Sequence, residues 1–252
     1  MKANVKQEIE VKLRVEDAAA MRRRLGRLGG RVVRRVHEMN TLYDSPQETL
    51  RKQGRLMRLR VEKTLGGGLG SAHRMEDSRA ARRSFASLPS ALLRASRMTA
   101  GRTRYVLTFK GPTRPERGRQ GAQAVPKLRE PVLQKSVGKY KVREEMEFVV
   151  GDPRAFWAVA GPAGMRPSFR YEKYRTSYRV PRAGGVHVEL DETPAGVFLE
   201  LEGPRRAIDR MARRLGFGPA DYITRSYAQL HFEDCRRRGV RPGGMVFGTK
   251  KK

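Results

Sequence analysis

Residues 7–15 read QEIEVKLRV, and this stretch alternates strictly between apolar and polar or charged side chains. Ile9, Val11 and Leu13 fall on one side of the pattern, and Glu8 and Glu10 fall on the other. A period of two is typical of a β-strand, because successive side chains of a strand point to opposite faces. The segment therefore predicts a strand with one apolar face and one ionic face.

Seven further segments predict strands, at 31–37, 55–62, 105–110, 139–149, 168–180, 186–191 and 197–202. Helical patterns follow the first strand up to Gly29-Gly30 and recur near 46–53, 154–165, 204–215 and 224–237. On six of the eight strands, charged residues stand two apart and so project together from one side, and a seventh strand contributes one charged residue. This ionic set consists of Glu8, Glu10 and Lys12; Arg58 and Arg60; Lys110; Arg143, Glu145 and Glu147; Lys173 and Arg175; Glu189 and Asp191; and Glu200 and Glu202.

The ionic faces predict a ligand if the sheet closes into a barrel with its apolar face outward. The charges would then line the interior, where removing them from water is costly unless they find partners. A polyphosphate chain pairs with lysine and arginine, and a hard divalent cation pairs with carboxylates. The pattern therefore indicates a site for a phosphate chain together with a metal ion.

The composition indicates one domain with unstructured additions. Only 38% of the residues are hydrophobic, 32% are charged, and the formal net charge is +29. We expect a single domain over 1–235 with disordered basic insertions at about 64–104 and 111–138, followed by a disordered basic tail at 236–252. These three stretches hold over half of the excess positive charge. A basic patch attracts any polyanion, but we expect no dedicated nucleic-acid partner for the insertions.

The sequence predicts a soluble cytoplasmic protein with no membrane partner. Cys235 is the single cysteine, so no disulfide forms within the chain, as is usual in a reducing compartment. The first residues contain no apolar signal segment, and no apolar run approaches the roughly 18 residues of a membrane span. The sequence makes no prediction of oligomeric state.

Several motifs occur in an order that resembles one family. Glu8-Ile9-Glu10-Val11-Lys12 matches the pattern Glu-x-Glu-x-Lys. It is followed by NTLYD (40–44), RLMRLRVE (55–62), LTFKGP (107–112), KVREE (141–145), EKYR (172–175), VELDE (188–192), GVFLELE (196–202) and TRSYAQL (224–230). The order resembles the CYTH superfamily, also called the triphosphate tunnel metalloenzymes, over about 7–65, 105–112 and 139–232. The domain of 1–235 would then be a single CYTH domain.

The resemblance implies an α+β fold, in which an eight-stranded antiparallel closed β-barrel forms a tunnel with helices packed outside it. It implies that Mg²⁺ or Mn²⁺ is held by Glu8, Glu10, Glu200 and Glu202. It implies triphosphate binding by Lys12, Arg58, Arg60, Lys110, Lys173, Arg175 and Arg225. The catalytic residues that it implies are Lys12, Arg143, Glu145 and Asp191.

Three functions follow from the resemblance. The first hypothesis is a class IV adenylyl cyclase-like enzyme that converts ATP to cyclic AMP and pyrophosphate. The second is an inorganic triphosphatase or thiamine triphosphatase that hydrolyses the terminal phosphate. The third is a non-catalytic module that binds polyphosphate or nucleotide, although such a module has less need of four placed glutamates. The expected partner is a small-molecule triphosphate: ATP, tripolyphosphate or thiamine triphosphate.

Overall fold

The computed structural model describes residues 5–65, 103–113 and 138–248. Eight antiparallel strands form a closed barrel in the order β1-β5-β4-β3-β2-β6-β7-β8. The strands are β1 (Val5–Val15), β2 (Arg31–Asp44), β3 (Leu56–Thr64), β4 (Thr103–Lys110), β5 (Lys141–Val150), β6 (Arg166–Arg179), β7 (His187–Thr193) and β8 (Gly196–Glu202). The helices of the described residues are α1 (Ala18–Arg27), α2 (Thr49–Lys52), α3 (Pro153–Ala160), α4 (Arg205–Arg214) and α5 (Tyr227–Arg237). The predicted α+β tunnel fold is confirmed.

The main hydrophobic core lies outside the barrel, between the strands and two helices. Val11 and Leu13 of β1 are fully buried there, in one cluster with Leu25 of α1 and Ile208 of α4. Burying a side chain of this size contributes roughly 1.5–3 kcal/mol. Because strands such as β1, β7 and β8 pack their apolar side in this outer cluster, their polar side turns inward.

Helices α1, α3 and α5 begin at side-chain caps. The Asp17 carboxylate accepts hydrogen bonds from the backbone N–H groups of Ala19 and Ala20 at the start of α1. Ser226 and Gln229 form a reciprocal capping box at the start of α5. Each such cap stabilises a helix by about 0.5–2 kcal/mol. The cap of α5 presents Tyr227, the first residue of that helix, to the barrel interior.

Strand β2 is longer than the sequence predicted. The pattern indicated 31–37, whereas β2 continues to Asp44 and pairs with β3 on one edge and with β6 on the other. Residues 38–44 (EMNTLYD) do not alternate strictly, so the pattern alone ends the strand at His37. Two neighbouring strands nevertheless supply hydrogen-bond partners on both edges, and this context decides the conformation. As a result, Glu38 and Asn40 are buried in the barrel wall.

The C-terminal segment also differs from the predicted disordered tail of 236–252. Met245 lies beside β6 and is only 1% exposed. Its backbone N–H donates to the carbonyl of Arg170, and the N–H of Glu172 donates to its carbonyl, both at 2.9 Å. Strand β7 pairs only with the part of β6 that begins at Tyr174. The tail is therefore ordered as far as residue 248, because it satisfies backbone groups of β6 that β7 does not reach.

The predicted disordered insertions, at about 64–104 and 111–138, lie almost wholly outside the described residues. Within the part of the chain that is described, none of the helices has the length and hydrophobicity that a transmembrane span requires.

Removal of residues 66–102 tests whether the barrel folds without the first insertion. Lys63 of β3 lies directly opposite Thr103 of β4, which is the register of a hairpin. We expect a short Gly-Ser linker in place of 66–102 to leave a single cooperative thermal transition, because short loops close this geometry at low entropic cost. Circular dichroism melts of the two proteins provide the measurement. Loss of the cooperative transition would show that the insertion stabilises the barrel.

Candidate active site

The barrel encloses a cavity of about 220 Å³ whose lining is dominated by charged side chains. The cationic lining residues are Lys12, Arg58, Arg60, Lys110, Lys141, Arg143, Lys173 and Arg175. The acidic lining residues are Glu8, Glu10, Glu145, Glu147, Glu189, Glu200 and Glu202. Most of the site residues that the sequence analysis named are therefore brought together around one cavity.

The pairing of the first and last strands places Lys12 between Glu10 and Glu200, two of the four predicted metal-binding glutamates. In the register of β1 and β8, Glu10 lies opposite Glu202 and Lys12 lies opposite Glu200. The Lys12 ammonium group lies 3.0 Å from a Glu10 oxygen and 3.1 Å from a Glu200 oxygen. Burial alone would lower the pKa of Lys12, but the two carboxylates raise it above its ordinary value. Lys12 is therefore a charged lysine held inside the barrel.

Lys110 and Arg143 form a second cationic group beside Glu8. The Lys110 ammonium group donates to the two Glu8 oxygens at 2.8 and 2.7 Å and lies 3.1 Å from Glu145. Arg143 lies opposite Glu8 in the register of β1 and β5, and its Nε donates to the Thr113 hydroxyl at 2.9 Å. Burial lowers the pKa of Arg143. No carboxylate of the described residues lies within ion-pair distance of Arg143, so its charge is available to an anionic ligand.

The two arginines of β3 share one carboxylate. Glu147 lies 3.1 Å from Arg58 and 2.8 Å from Arg60. Arg58 also donates to the hydroxyls of Thr108 at 3.0 Å and Tyr171 at 3.1 Å. Burial would lower the pKa of Arg58, but Tyr171 and Glu147 raise it. The guanidinium groups are thus held in fixed orientations along one wall of the cavity.

Asp191 holds the cations of β6 from behind the cavity wall. Its carboxylate accepts hydrogen bonds from Lys173 at 2.8 Å, from Arg175 at 2.7 and 2.6 Å, and from the Tyr227 hydroxyl at 2.7 Å. Asp191 is completely buried, and it is not among the residues that line the cavity. From this position Asp191 orients Lys173 and Arg175, and its predicted catalytic role stays a prediction.

Arg225 is the predicted substrate-binding residue that the structure does not bring to the cavity. About half of its side chain, 51%, is exposed, and it forms an ion pair with Glu233 on the surface of α5. It is absent from the cavity lining. The motif placed Arg225 next to Tyr227, but Tyr227 alone of the two reaches the interior.

Several site residues escaped the sequence analysis. They are Glu38, Lys141, Tyr171 and Tyr227, whereas Glu147 and Glu189 belonged to the predicted ionic set without an assigned role. Glu38 lies within 3.5–3.8 Å of Lys173, Arg60 and Arg175. Lys141 lies 2.5 Å from Glu10, and burial lowers the pKa of Lys141 to about 8. Lys141 stands two residues before Arg143 on the same strand face, so the alternation carried a signal for it. Tyr227 lies on a helix and leaves no such signal.

Three carboxylates compete for one guanidinium group at the end of this network. Glu189, Asp191 and Glu200 all form ion pairs with Arg175. Burial raises the pKa of Glu189 to about 7, with further repulsion from Asp191 and Glu200 and only partial compensation by Arg175. In the unfolded chain the pKa of this carboxyl is 4.5. The folded protein therefore holds a proton on Glu189 at pH values where the unfolded chain has released it.

This difference predicts a pH-dependent loss of stability. Because the folded state binds the extra proton, the free energy of unfolding should fall as the pH rises from about 4.5 to about 7. Glu189→Gln mimics the protonated carboxyl and lacks this titration, so the variant should gain stability relative to the wild type over that interval. Thermal unfolding of both proteins between about pH 5 and pH 8 measures the effect. A stability difference that does not change with pH would contradict it.

The carboxylates fit a hard divalent cation by their chemistry. Glutamate oxygens are preferred ligands of Mg²⁺ and Mn²⁺. Among the described residues no three carboxylate, histidine or cysteine side chains converge in metal-binding geometry. Lysines and arginines hold the glutamates instead. Because Mg²⁺ commonly uses one or two carboxylates together with phosphate oxygens, this donor set is sufficient for a metal that binds with a phosphate ligand.

The structure is a closed antiparallel barrel whose cavity is lined by paired acids and bases. The family model of the CYTH domain matches residues 6–227 of the chain. The chain belongs to the CYTH family, which is a family of metal-dependent triphosphate tunnel enzymes. The resemblance noted in the sequence is thus confirmed.

Solved structures share this fold at low sequence identity. A proposed adenylate cyclase of Vibrio parahaemolyticus is 17% identical with a TM-score of 0.55, over 89% of this chain and 97% of that chain. A protein of Pyrococcus horikoshii OT3 is 18% identical with a TM-score of 0.57, over 90% and 99% of the two chains. A second protein of that organism is 20% identical with a TM-score of 0.53, over 88% and 98%. No curated protein matches the sequence significantly.

Proposed function

We propose that this chain is a metal-dependent enzyme that binds the phosphate chain of a triphosphate in the tunnel and hydrolyses its terminal phosphate. The observation that carries the proposal is the cavity, which measures about 220 Å³ and is lined by fifteen charged side chains. Pockets for drug-sized organic molecules are usually about 300–1,000 Å³ and mostly apolar. A cavity this small and this ionic suits a phosphate chain, with inorganic triphosphate or thiamine triphosphate as the substrate class.

Binding would engage the cations that now pair with glutamates. Lys12, Lys110 and Arg58 line the cavity and would donate to phosphate oxygens, with charge-assisted hydrogen bonds that are stronger than neutral ones. Glu8, Glu10, Glu200 and Glu202 would hold Mg²⁺ or Mn²⁺, which when bound supplies charge neutralisation and polarisation of the phosphorus–oxygen bond. The remaining tunnel cations, Arg60, Lys173 and Arg175, would also bind phosphate oxygens of the substrate.

Arg143 and Glu145 are suited to the chemical step. Arg143 lines the cavity without an ion-pair partner among the described residues, so it would stabilise charge that develops on the terminal phosphate. Burial raises the pKa of Glu145. A carboxylate with a raised pKa is a better proton acceptor, so Glu145 would take the proton of the attacking water.

A second candidate is the class IV adenylyl cyclase reaction, which uncharged residues of the lining favour. Leu42 lies opposite Arg58, and Leu56 lies opposite Lys110, in the barrel register. Tyr171 accepts a hydrogen bond from Arg58. These three side chains would contact an adenine ring if ATP were the substrate. Attack of the ribose 3′-hydroxyl on the α-phosphate would then release pyrophosphate.

Product analysis separates the candidates. Purified protein is incubated with Mg²⁺ or Mn²⁺ and with tripolyphosphate, thiamine triphosphate or ATP, and the products are resolved by ion-exchange chromatography. Orthophosphate supports hydrolysis, cyclic AMP with pyrophosphate supports the cyclase, and binding without turnover supports a non-catalytic module. Glu145→Gln should reduce hydrolysis by about 10²–10⁴-fold. Glu48→Gln, on an exposed glutamate of the α2 region, is the matched control and should retain full activity.

A further inference from the structure

A second concentration of charge lies on the outside of the barrel. Helices α1 and α4 together contain nine arginines, no lysine and one acidic residue, Asp209. The Asp209 carboxylate is engaged by Lys139 at 2.9 Å and by the hydroxyls of Tyr140 and Tyr222 at 2.8 Å. We call the exposed part of this surface the arginine face. Its members are Arg23, Arg24, Arg27, Arg182, Arg206, Arg210 and Arg213, and the half-buried Arg214 lies among them.

The arginine face is continuous across three segments of the chain. Arg24 of α1 donates to the carbonyl of Leu215, which directly follows α4, at 2.7 Å. Arg214 of α4 donates to the carbonyls of Pro181 and Arg182 in the turn before β7, at 3.1 and 3.4 Å. The two helices and the turn therefore present one surface rather than separate basic spots.

The arginines of α4 recur at a regular spacing that can be compared with the spacing of phosphates along a nucleic-acid strand. Arg206, Arg210 and Arg213 are exposed and recur every three or four residues, so they lie on one side of the helix. None of the three forms an ion pair with a residue that the structure describes, and four helical residues span about 6 Å. One strand of a duplex advances about 3.4 Å per phosphate, so successive arginines match roughly every second phosphate.

We propose that the arginine face binds the phosphate backbone of a nucleic acid, without sequence selection and outside the tunnel. Guanidinium groups recognise phosphate with two parallel hydrogen bonds, which a lysine ammonium group does not provide. The earlier expectation of no nucleic-acid partner concerned the basic insertions, whereas this face belongs to folded helices. The inference is independent of the reaction that takes place in the tunnel.

The buried side of the same helices argues against a membrane surface as the partner. Helices that lie in a bilayer interface insert an apolar side among the lipid chains. Here the apolar side chains, Leu25 of α1 and Ile208 and Met211 of α4, are at most 1% exposed, because they form the core against the barrel. The helices retain only their charged side for an external partner.

Salt-dependent binding to a labelled duplex tests the proposal. The full chain is titrated into a duplex of about 20 base pairs at about 50–200 mM salt, and fluorescence anisotropy gives the slope of log K against log salt. Combined Arg206→Gln, Arg210→Gln and Arg213→Gln should weaken binding at least about tenfold and reduce the slope by about 2–3. Tripolyphosphate turnover and thermal unfolding of the variant should remain those of the wild type.

A second triple variant provides the matched control. Arg55→Gln, Arg166→Gln and Arg170→Gln remove the same charge from exposed positions on β6 and in front of β3. This variant should keep the wild-type slope. Equal loss in both variants would overturn the proposal, because it would assign binding to the overall positive charge. Binding to phosphatidylserine vesicles that depends on the three arginines of α4, without duplex binding, would also overturn it.

Discussion

Replacing Lys12 by alanine should reduce triphosphate turnover by about 10²–10³-fold, which is the usual cost of removing one preorganised electrostatic group. Lys12 lines the cavity, is 3% exposed, and bridges Glu10 and Glu200. Among the described residues, Lys12 is the cation that forms ion pairs with both Glu10 of β1 and Glu200 of β8. Steady-state release of orthophosphate from tripolyphosphate measures the effect.

The fold should survive this substitution, so the loss can be attributed to the site. After Lys12→Ala, Glu10 keeps Lys141 as a partner and Glu200 keeps Arg175. Lys52→Ala, at an exposed lysine of α2, is the control and should have wild-type activity. If Lys12→Ala retains full turnover while it folds normally, the tunnel is not where the reaction occurs.

Replacing Asp191 by alanine should lower the free energy of unfolding by about 3–5 kcal/mol, because it leaves buried cations short of a counter-charge. Among the residues that the structure describes, Lys173 would keep Glu38 as its one ion-pair partner, at 3.5 Å, and the Tyr227 hydroxyl would lose its acceptor. Urea denaturation followed by circular dichroism gives the difference. Turnover at temperatures where the variant is folded should also fall, since Lys173 and Arg175 lose the group that orients them.

A carboxylate with similar partners on the surface is the comparison for this experiment. Asp234 also binds two arginines, Arg237 and Arg238, but it does so in water on α5. Exposed ion pairs contribute little, because solvent already stabilises the separated charges. Asp234→Ala should therefore cost far less than Asp191→Ala. Equal losses would mean that enclosure in the barrel wall is not what makes Asp191 important.

The part of the site that the sequence predicts well lies on strands with strict alternation. β1 and β8 have apolar residues at every second position, so the opposite face is identified without knowledge of the fold. Glu8, Glu10, Lys12 and Glu200 were all found in this way, and all are buried around the cavity. The alternation shows on which face of a strand a side chain lies, but it does not show whether that side chain reaches the cavity. Asp191 has the same pattern as Glu189, yet only Glu189 reaches the lining.

The missed residues depend on contacts between segments that are distant in sequence. Glu38 is buried because β3 pairs with one edge of β2 and β6 pairs with the other. No local sequence pattern reveals this pairing. Tyr227 reaches Asp191 because α5 packs its first turn against the barrel, and its neighbour Arg225 does not. Met245 is ordered because an edge of β6 is open beside it. Each of these facts is a property of the tertiary arrangement.

The balance of charge in the cavity has a consequence for how ligands are taken up. Eight lining cations face seven lining carboxylates, so the side chains of the tunnel serve as counter-ions to one another. An anion that bound alone would pair with the cations but leave the carboxylates without partners, and a metal ion that bound alone would do the reverse. A metal–triphosphate complex provides a new partner for both the cations and the carboxylates. Its affinity should therefore depend only weakly on ionic strength, unlike the affinity of an open arginine surface for a polyanion.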